Sequence, residues 1–446
     1  HFIITGFIWG FTYYLTVIFW MATNIGTTPL IGFISMIASV LFLTLNIIAF
    51  SIIMGILKKK YSQVWFWFFP LVWTSMEFLR SKGTVGFPWM SLANTQLDFL
   101  TLAQNAEITG IYGISFWVVF INILLFNWLV RPYPENSFKA ISIFILPWVT
   151  GLWLAPQVQT DHSSSLDVAI IQPNIHLNQK RKPGGVHENI LSLLNDSKTV
   201  IEKNIDLIVW PESSIASYVL QGNDYYLKWI QEGLQGSSLI AGIPYYSGKE
   251  SERKFYNSAV HIKADSIQNI YHKLQLVPMA EYIPLSGYFP ALNKLKLGQA
   301  NFTHGTEHTI MDINNIKCAV MICFESTFPD LNRKFVNNGA EVLIYLVNDG
   351  WYEYPPEPQQ HARQAVYRAI ENRRPVIRCS NTGISMVIDR GGNISHRLPL
   401  NERGMIETTI KPQNSDTFYS RHGDIFAKMN VLVSLLLIIG GMVKKK

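Results

Sequence analysis

The chain has little charge and few cysteines for its length. Charged side chains make up 15% of its 446 residues, hydrophobic side chains make up 48%, and there are three cysteines. This composition argues against an ordinary soluble enzyme, and three cysteines form no disulfide framework. No basic and aromatic surface motif accompanies the net charge of +6, so nothing indicates nucleic-acid binding. No His, Cys and Asp spacing fits a metal site, and we expect neither metal nor cofactor.

Six long apolar runs account for much of the hydrophobic content. They predict membrane spans at about 2–22, 29–57, 65–79, 111–130, 140–154 and 429–443. The third run contains Glu77, which is costly in a membrane unless it is paired, and Arg80 one turn later is the expected partner.

Basic residues follow every second apolar run, at 58–60, 131–139 and 444–446. All three clusters then face one side of the membrane, as the positive-inside rule requires. This parity places residues 81–110 and the large polar region on the opposite, exported side. We therefore expect membrane helices over 1–155, a catalytic domain over 156–425, and a last helix with a basic cytoplasmic tail over 426–446.

The region 156–425 alternates between strand and helix patterns. The strands are predicted at 167–171, 207–210, 238–242, 258–262, 267–272, 317–323, 342–347, 376–380 and 385–388, and the helices at about 186–203, 224–235 and 358–372. Such alternation predicts an α/β domain with helices packed on sheet faces, and a doubly wound sheet would also fit.

Three of these strands end in residues that could carry chemistry. Cys323 ends one apolar run, Glu212 follows Trp-Pro at the end of another, and Lys273 follows a third. Alone, each has an ordinary explanation: a small buried hydrophobe, a solvated carboxylate, or a lysine lying along apolar surface. Together they supply a thiol nucleophile, a general base, and a cation that favours first the thiolate and then an oxyanion.

Several motifs resemble the nitrilase superfamily and, more narrowly, the bacterial apolipoprotein N-acyltransferases. They are Gln172-Pro-Asn-Ile175, Trp210-Pro-Glu212, His272-Lys-Leu-Gln-Leu-Val-Pro278, Glu281-Tyr282, Cys323-Phe-Glu325, Asn348-Asp-Gly-Trp351, Gln360-His-Ala-Arg363 and Ser380-Asn-Thr-Gly-Ile-Ser385. The resemblance implies an α-β-β-α sandwich inserted before the last helix of a multi-span helix bundle. The family pattern has eight spans, so the first two would be missing here.

The resemblance also implies roles for individual residues. Glu212, Lys273 and Cys323 would form the catalytic triad, with Glu281 and Glu325 in support. His272 is a tempting base by residue type, but the family uses the carboxylate, so His272 is assigned a structural role. Contacts with substrate are predicted for Phe324, which replaces the family's commoner tyrosine, and for Trp351 and Tyr282.

The implied reaction moves a fatty acyl chain from a phospholipid, through a thioester on Cys323, to the N-terminal amine of a diacylated apolipoprotein. The protein would act as a monomer in the bacterial inner membrane, with its catalytic domain on the periplasmic face. Two alternatives stay open. A membrane-tethered amidase would use the same triad with water as the acceptor, and a silent scaffold would bind lipoproteins without chemistry.

Overall fold

The computed structural model describes residues 1–130, 134–156, 164–180, 182–203, 205–222, 224–284, 301–352 and 355–442. The chain forms two compact units. A helical unit comprises residues 1–24, 28–156 and 417–446, and an α/β unit comprises residues 25–27 and 157–416.

Helices and strands are numbered in chain order. The helices are α1 Phe2–Ile18, α2 Pro29–Lys60, α3 Phe69–Arg80, α4 Leu100–Ala103, α5 Ala106–Val130, α6 Pro134–Leu154, α7 Leu177–Lys180, α8 Gly185–Ile201, α9 Asp224–Leu234, α10 Pro329–Asn337, α11 Glu357–Asn372, α12 Phe418–His422 and α13 Ile425–Met442. The strands are β1 Leu166–Gln172, β2 Leu207–Val209, β3 Ser238–Ser247, β4 Lys254–Ile262, β5 Ile267–His272, β6 Ile310–Ile313, β7 Ile316–Ile322, β8 Val342–Val347, β9 Val376–Ser380, β10 Ser385–Ile388, β11 Ile394–Leu398 and β12 Gly404–Ile410.

Long apolar helices dominate the helical unit and make the chain a membrane protein. Five segments among the described residues have the length and hydropathy to cross a bilayer: Phe2–Thr23, Pro29–Lys60, Ala106–Val130, Ser137–Leu154 and Ile425–Met442. Each coincides with one of the predicted apolar runs.

The remaining run, 65–79, forms a shorter element. A 3-10 turn at Trp65–Phe68 leads into α3, which has 12 residues. An α-helix of that length extends about 18 Å, whereas the hydrocarbon core of a bilayer is about 30 Å thick. The count of six spans, and the sidedness derived from it, therefore stay predictions. Residues 131–133 and 444–446 of the basic clusters lie outside the described residues.

Glu77 and Arg80 on α3 are both buried, but the predicted ion pair between them is wrong. Glu77 instead accepts three hydrogen bonds from neutral donors: Trp73 Nε1 at 2.8 Å, Ser91 Oγ at 2.7 Å and the Leu92 N–H at 2.9 Å. Arg80 donates to neutral oxygens: Tyr14 OH at 3.3 Å and the carbonyls of Phe87 at 3.4 Å and Met90 at 3.0 Å. Neutral partners within the bundle thus satisfy both charged groups without direct pairing.

The α/β unit contains two six-stranded mixed sheets. The strand order is β12-β1-β2-β3-β4-β5 in the first sheet and β11-β10-β9-β8-β7-β6 in the second. The three parallel strands are β1, β2 and β3 in one sheet and β7, β8 and β9 in the other. Because helices cover the parallel strands, these strands read as continuous apolar runs.

The inner faces of the two sheets pack against each other. The Cys379 thiol on β9 lies 3.3 Å from the carbonyl oxygens of Ile171 on β1 and Val209 on β2. On the outer faces, α8 and α9 contribute Ile190 and Ile230 to the core of the first sheet, and α10 and α11 pack beside the second. The fold is therefore the predicted α-β-β-α sandwich and not a single doubly wound sheet.

Sequence patterns miss five of the elements described in this unit, namely α7, β6, α10, β11 and β12. Four of the five residues of β11 are exposed and the fifth is half-buried, so no apolar alternation marks this strand. The predicted strand 317–323 ends one residue earlier, at Ile322, and Cys323 begins a 3-10 turn at Cys323–Thr327. This difference changes how the thiol is presented.

Gly110 in α5 offers a test of packing within the helical unit. Its φ is +63°, and an added Cβ would lie 2.7 Å from a ring carbon of Tyr419. Gly83 also has a positive φ, +81°, but an added Cβ there would meet nothing within 4 Å. A left-handed non-glycine residue costs about 1–2 kcal/mol by itself. We expect Gly110→Ala to lower the Tm in detergent clearly more than Gly83→Ala, and equal losses would contradict the steric explanation.

Candidate active site

The three predicted catalytic residues all follow strand ends. Glu212 comes three residues after β2 and Lys273 directly after β5 in the first sheet, while Cys323 directly follows β7 in the second. The sandwich brings them together. Lys273 Nζ lies 3.7 Å from Glu212 Oε1, and the Glu212 carboxyl lies beside the Cys323 thiol.

Asn257 on β4 links the two carboxylates of the site and is absent from the sequence prediction. Its Nδ2 donates to Glu212 Oε1 at 2.8 Å and to Glu281 Oε1 at 3.0 Å. Glu281 Oε1 also accepts from Lys273 Nζ at 2.9 Å, and its Oε2 accepts from the Val277 N–H at 2.8 Å. Glu281 therefore contacts the lysine directly, in the supporting position predicted for it.

Lys273 is an almost fully buried cation, with 1% of its surface exposed. Burial disfavours its charge, but Glu281 first and Glu212 second outweigh burial and hold its pKa above the ordinary lysine value. The site thus keeps a permanent ammonium group next to the carboxylate and the thiol.

The Cys323 thiol is neutral at rest. Burial first, and the Glu212 carboxylate second, raise its pKa well above 9.0, while Lys273 acts in the opposite direction. Lys273 therefore favours the thiolate as predicted, but its effect is smaller than the other two. Burial also raises the pKa of Glu212, and Glu212 Oε2 accepts no hydrogen bond from any described residue. The arrangement fits a base with one free oxygen facing a protonated nucleophile.

Glu325 ties together the main-chain segments that carry the lysine and the cysteine. Its carboxylate accepts four hydrogen bonds: from Tyr271 OH at 2.7 Å and from the N–H groups of Leu274 at 2.7 Å, Gln275 at 3.0 Å and Ile322 at 2.7 Å. Leu274 follows Lys273, and Ile322 precedes Cys323. Glu325 thus sets the spacing of the two catalytic groups through the backbone rather than through a bond to the ammonium.

Cys323 has an unusual backbone conformation for a residue other than glycine, with φ at +54°. Its carbonyl oxygen accepts from Ser326 Oγ at 2.9 Å and lies 3.1 Å from His361 Nε2. His361 Nδ1 lies 2.8 Å from Asp349 Oδ1. Asp349 and His361 both lie in the family motifs, but the sequence pattern predicts a role for neither.

Two family models match the chain. The carbon-nitrogen hydrolase model matches residues 167–418, and the apolipoprotein N-acyltransferase N-terminal domain model matches residues 1–124. A relative from Geobacter metallireducens named apolipoprotein N-acyltransferase is 32% identical over 442 residues, which are 95% of this chain and 83% of that protein. The chain belongs to the apolipoprotein N-acyltransferase family.

Other similarities span most of the chain or of its α/β unit. A Rickettsia bellii relative with the same name is 28% identical, over 99% of this chain and 89% of that protein. Among solved structures, a mutant of the Nesterenkonia AN1 amidase from the nitrilase superfamily has a TM-score of 0.43 and 16% identity. It covers 61% of this chain and 100% of that chain.

The residues predicted to contact substrate differ in exposure. Phe324 is buried and packs edge to face on Phe328, with ring centroids 4.9 Å apart. Tyr282 is buried against His304, with centroids 4.7 Å apart. Trp351 is partly exposed. Their contact with substrate stays a prediction for this member of the family.

Among the described residues, one side-chain cluster has ligand atoms close enough to hold a metal ion. Suitable atoms of Cys323, Asp349 and His361 lie within 4.8 Å of one another. Two of the three groups have protein partners, because Asp349 bonds to His361 and to Arg378, each at 2.8 Å. These bonds make the cluster a hydrogen-bonded chain beside the candidate nucleophile.

Alkylation with iodoacetamide tests the state of the thiol, since Cys318 and Cys379 are fully buried and Cys323 is not. A thiol with a pKa of 9 or more is only about 1% thiolate at pH 7. We expect the rate of Cys323 alkylation to rise from pH 7 to pH 9 without reaching a plateau. In Glu212→Gln the rise should begin at lower pH, because a charge that raises the thiol pKa is removed while Lys273 remains. A rate already constant at pH 7 would contradict the neutral thiol.

Proposed function

We propose that the protein transfers a fatty acyl chain from a phospholipid, through a thioester on Cys323, to the N-terminal amine of a diacylglyceryl-cysteine lipoprotein. The observation that carries the proposal is the buried cluster of Glu212, Lys273 and Cys323. The five membrane-length helices and the family relatives support a lipid donor and a lipoprotein acceptor.

In the first half-reaction, Glu212 takes the proton of the Cys323 thiol as the sulfur attacks the ester carbonyl of the phospholipid. The negative charge that develops on the carbonyl oxygen is stabilised by the Lys273 ammonium and by the backbone N–H of Phe324. The tetrahedral intermediate then expels the glyceryl oxygen, which receives the proton from Glu212. The products are a lysophospholipid and an acyl-thioester on Cys323.

In the second half-reaction, the α-amine of the lipoprotein attacks the thioester carbonyl. Glu212 accepts a proton from the amine, the same donors hold the oxyanion, and the carbon–sulfur bond breaks. The proton held by Glu212 returns to the departing sulfur, which restores the thiol. The sequence of two acyl transfers through one covalent intermediate is a ping-pong mechanism.

The site favours this ping-pong mechanism because one carboxylate, Glu212, can carry the proton in both half-reactions. Glu212 has one oxygen held by Asn257, and the carboxyl lies beside the Cys323 thiol, which leaves the other oxygen to receive the thiol proton. Glu281, and not Glu212, makes the short contact with Lys273, at 2.9 Å against 3.7 Å. The ammonium is thus anchored elsewhere, which leaves Glu212 to exchange protons.

The proposed setting is the bacterial inner membrane, with the catalytic domain on the periplasmic face and the protein acting as a monomer. The basic clusters after alternate apolar runs support this sidedness. A membrane location explains how a phospholipid and a lipid-anchored protein reach one enzyme. Hydrolysis by water, as in an amidase, would use the same triad but would not require five apolar helices.

Intact mass spectrometry tests the covalent step. We expect wild-type protein incubated with phospholipid in mixed micelles to gain the mass of one fatty acyl chain. Hydroxylamine should remove this increment, since it cleaves thioesters, and a diacylglyceryl-cysteine peptide should remove it while itself becoming acylated.

The matched control is Cys323→Ala, which should show no increment, whereas Cys318→Ala should behave as wild type because Cys318 is fully buried. Absence of any acyl-enzyme together with hydrolysis of small amides would favour the amidase. Absence of both, with retained lipoprotein binding, would favour the scaffold.

A further inference from the structure

His361 contacts the nucleophile's own peptide group, although the mechanism above does not use it. Its imidazole is 1% exposed, and its Nε2 lies 3.1 Å from the Cys323 carbonyl oxygen and 3.1 Å from Ser326 Oγ. The histidine comes from α11, which packs against the 3-10 turn that begins at Cys323. The contact of a buried imidazole with the reacting residue indicates that His361 has a role at that residue.

A second ion pair fixes the orientation of that imidazole. Asp349 Oδ1 lies 2.8 Å from His361 Nδ1, and Asp349 Oδ2 accepts from Arg378 at 2.8 Å. Burial alone would raise the pKa of Asp349, but Arg378 and His361 hold it at about 2, so the group is a carboxylate. A carboxylate can only accept, so Nδ1 carries the proton of this bond, and because the Cys323 carbonyl also only accepts, Nε2 must carry a second proton for its contact to be a hydrogen bond. The ring then directs Nε2 at Cys323 and Ser326.

The backbone of Cys323 requires such support. A left-handed conformation costs a non-glycine residue about 1–2 kcal/mol and persists only where its surroundings fix it. Glu325 holds the N–H of Ile322, immediately before the cysteine, at 2.7 Å. Ser326 and His361 hold the carbonyl of the cysteine itself. Buried side chains thus hold the chain on both sides of the residue that presents the thiol.

We propose that His361, oriented by Asp349 and Arg378, is a positioning residue that fixes the Cys323 carbonyl and thereby aims its sulfur at the acyl carbonyl. The inference rests on the proposed function in that Cys323 is taken as the nucleophile. Arg378, Asp349 and His361 then form one chain of contacts that ends at the nucleophile's backbone.

Two substitutions, His361→Gln and His361→Asn, distinguish the contact made by Nε2 from the packing of the imidazole ring. Glutamine at position 361 places an amide nitrogen near the position of Nε2, whereas asparagine reaches only the position of Nδ1. We expect His361→Asn to slow both iodoacetamide alkylation of Cys323 and acyl transfer, with the loss in kcat rather than KM. A misplacement of about 1 Å can cost about 100-fold in rate. His361→Gln should recover most of this loss.

Glu357→Gln is the matched control on the same helix. Glu357 is buried, and its Oε1 lies 3.9 Å from His361 Nδ1. Burial first, and the charge of Asp349 second, raise its pKa well above 4.5, towards the neutral acid. The substitution keeps the shape of that acid, and we expect alkylation, acyl transfer and Tm to stay at wild-type values.

Two outcomes with the position-361 variants would overturn the proposal. One is alkylation of His361→Asn at the wild-type rate. The other is an equal slowing of both position-361 variants with equal losses of Tm, which would assign His361 to packing alone. If His361→Asn does not fold, Ser326→Ala decides: retained alkylation of Cys323 supports positioning by His361, whereas a loss of alkylation as large as in Cys323→Ala would assign the positioning to Ser326. Alkylation of Cys323 needs no lipid. A failure of the proposed acyl transfer can therefore be distinguished from a failure of the proposed role of His361.

Discussion

The ammonium group of Lys273 lies between two carboxylates in the interior of the protein, and the rest of the site is arranged around it. A buried charge is tolerated only when its partners are close and hydrogen-bonded. Here Glu281 is 2.9 Å away and Glu212 is 3.7 Å away, with Asn257 bonded to both. Removing Lys273 would leave two buried carboxylates without their cation, so the fold and the proposed chemistry depend on the same ion pairs.

This dependence extends across the two sheets. The proposed base and cation come from the first sheet, and the proposed nucleophile comes from the second, so the geometry of the site is a property of the sandwich and not of one segment. Glu325 connects the two sheets directly, because its one carboxylate accepts hydrogen bonds from main-chain N–H groups next to both Lys273 and Cys323. Packing between the sheets and positioning of the reacting groups therefore depend on the same carboxylate.

The sequence predicts the parts of this arrangement that local patterns encode. Strands that are apolar throughout, such as β8, are found with correct ends, and the three catalytic candidates lie at strand ends as expected. The exposed strand β11 carries no such pattern. Asn257 is a single amide within a strand, and nothing local distinguishes it from a structural residue. Glu77 and Arg80 are spaced for pairing, yet neutral partners from distant segments satisfy both, which no local rule anticipates.

The protonation states of the site suit an enzyme that handles lipid esters. Thiolate character controls both oxidation and unspecific reaction of cysteine. In the proposed reaction, burial and Glu212 keep the Cys323 thiol neutral until a carbonyl is in place to be attacked, and the negative charge that then develops meets an ammonium already held by Glu281. The thiolate would thus form only in the transition state, where Lys273 stabilises the charge. The proposed thioester must persist until a second lipid arrives, and a site whose base and cation are shielded from solvent favours that persistence.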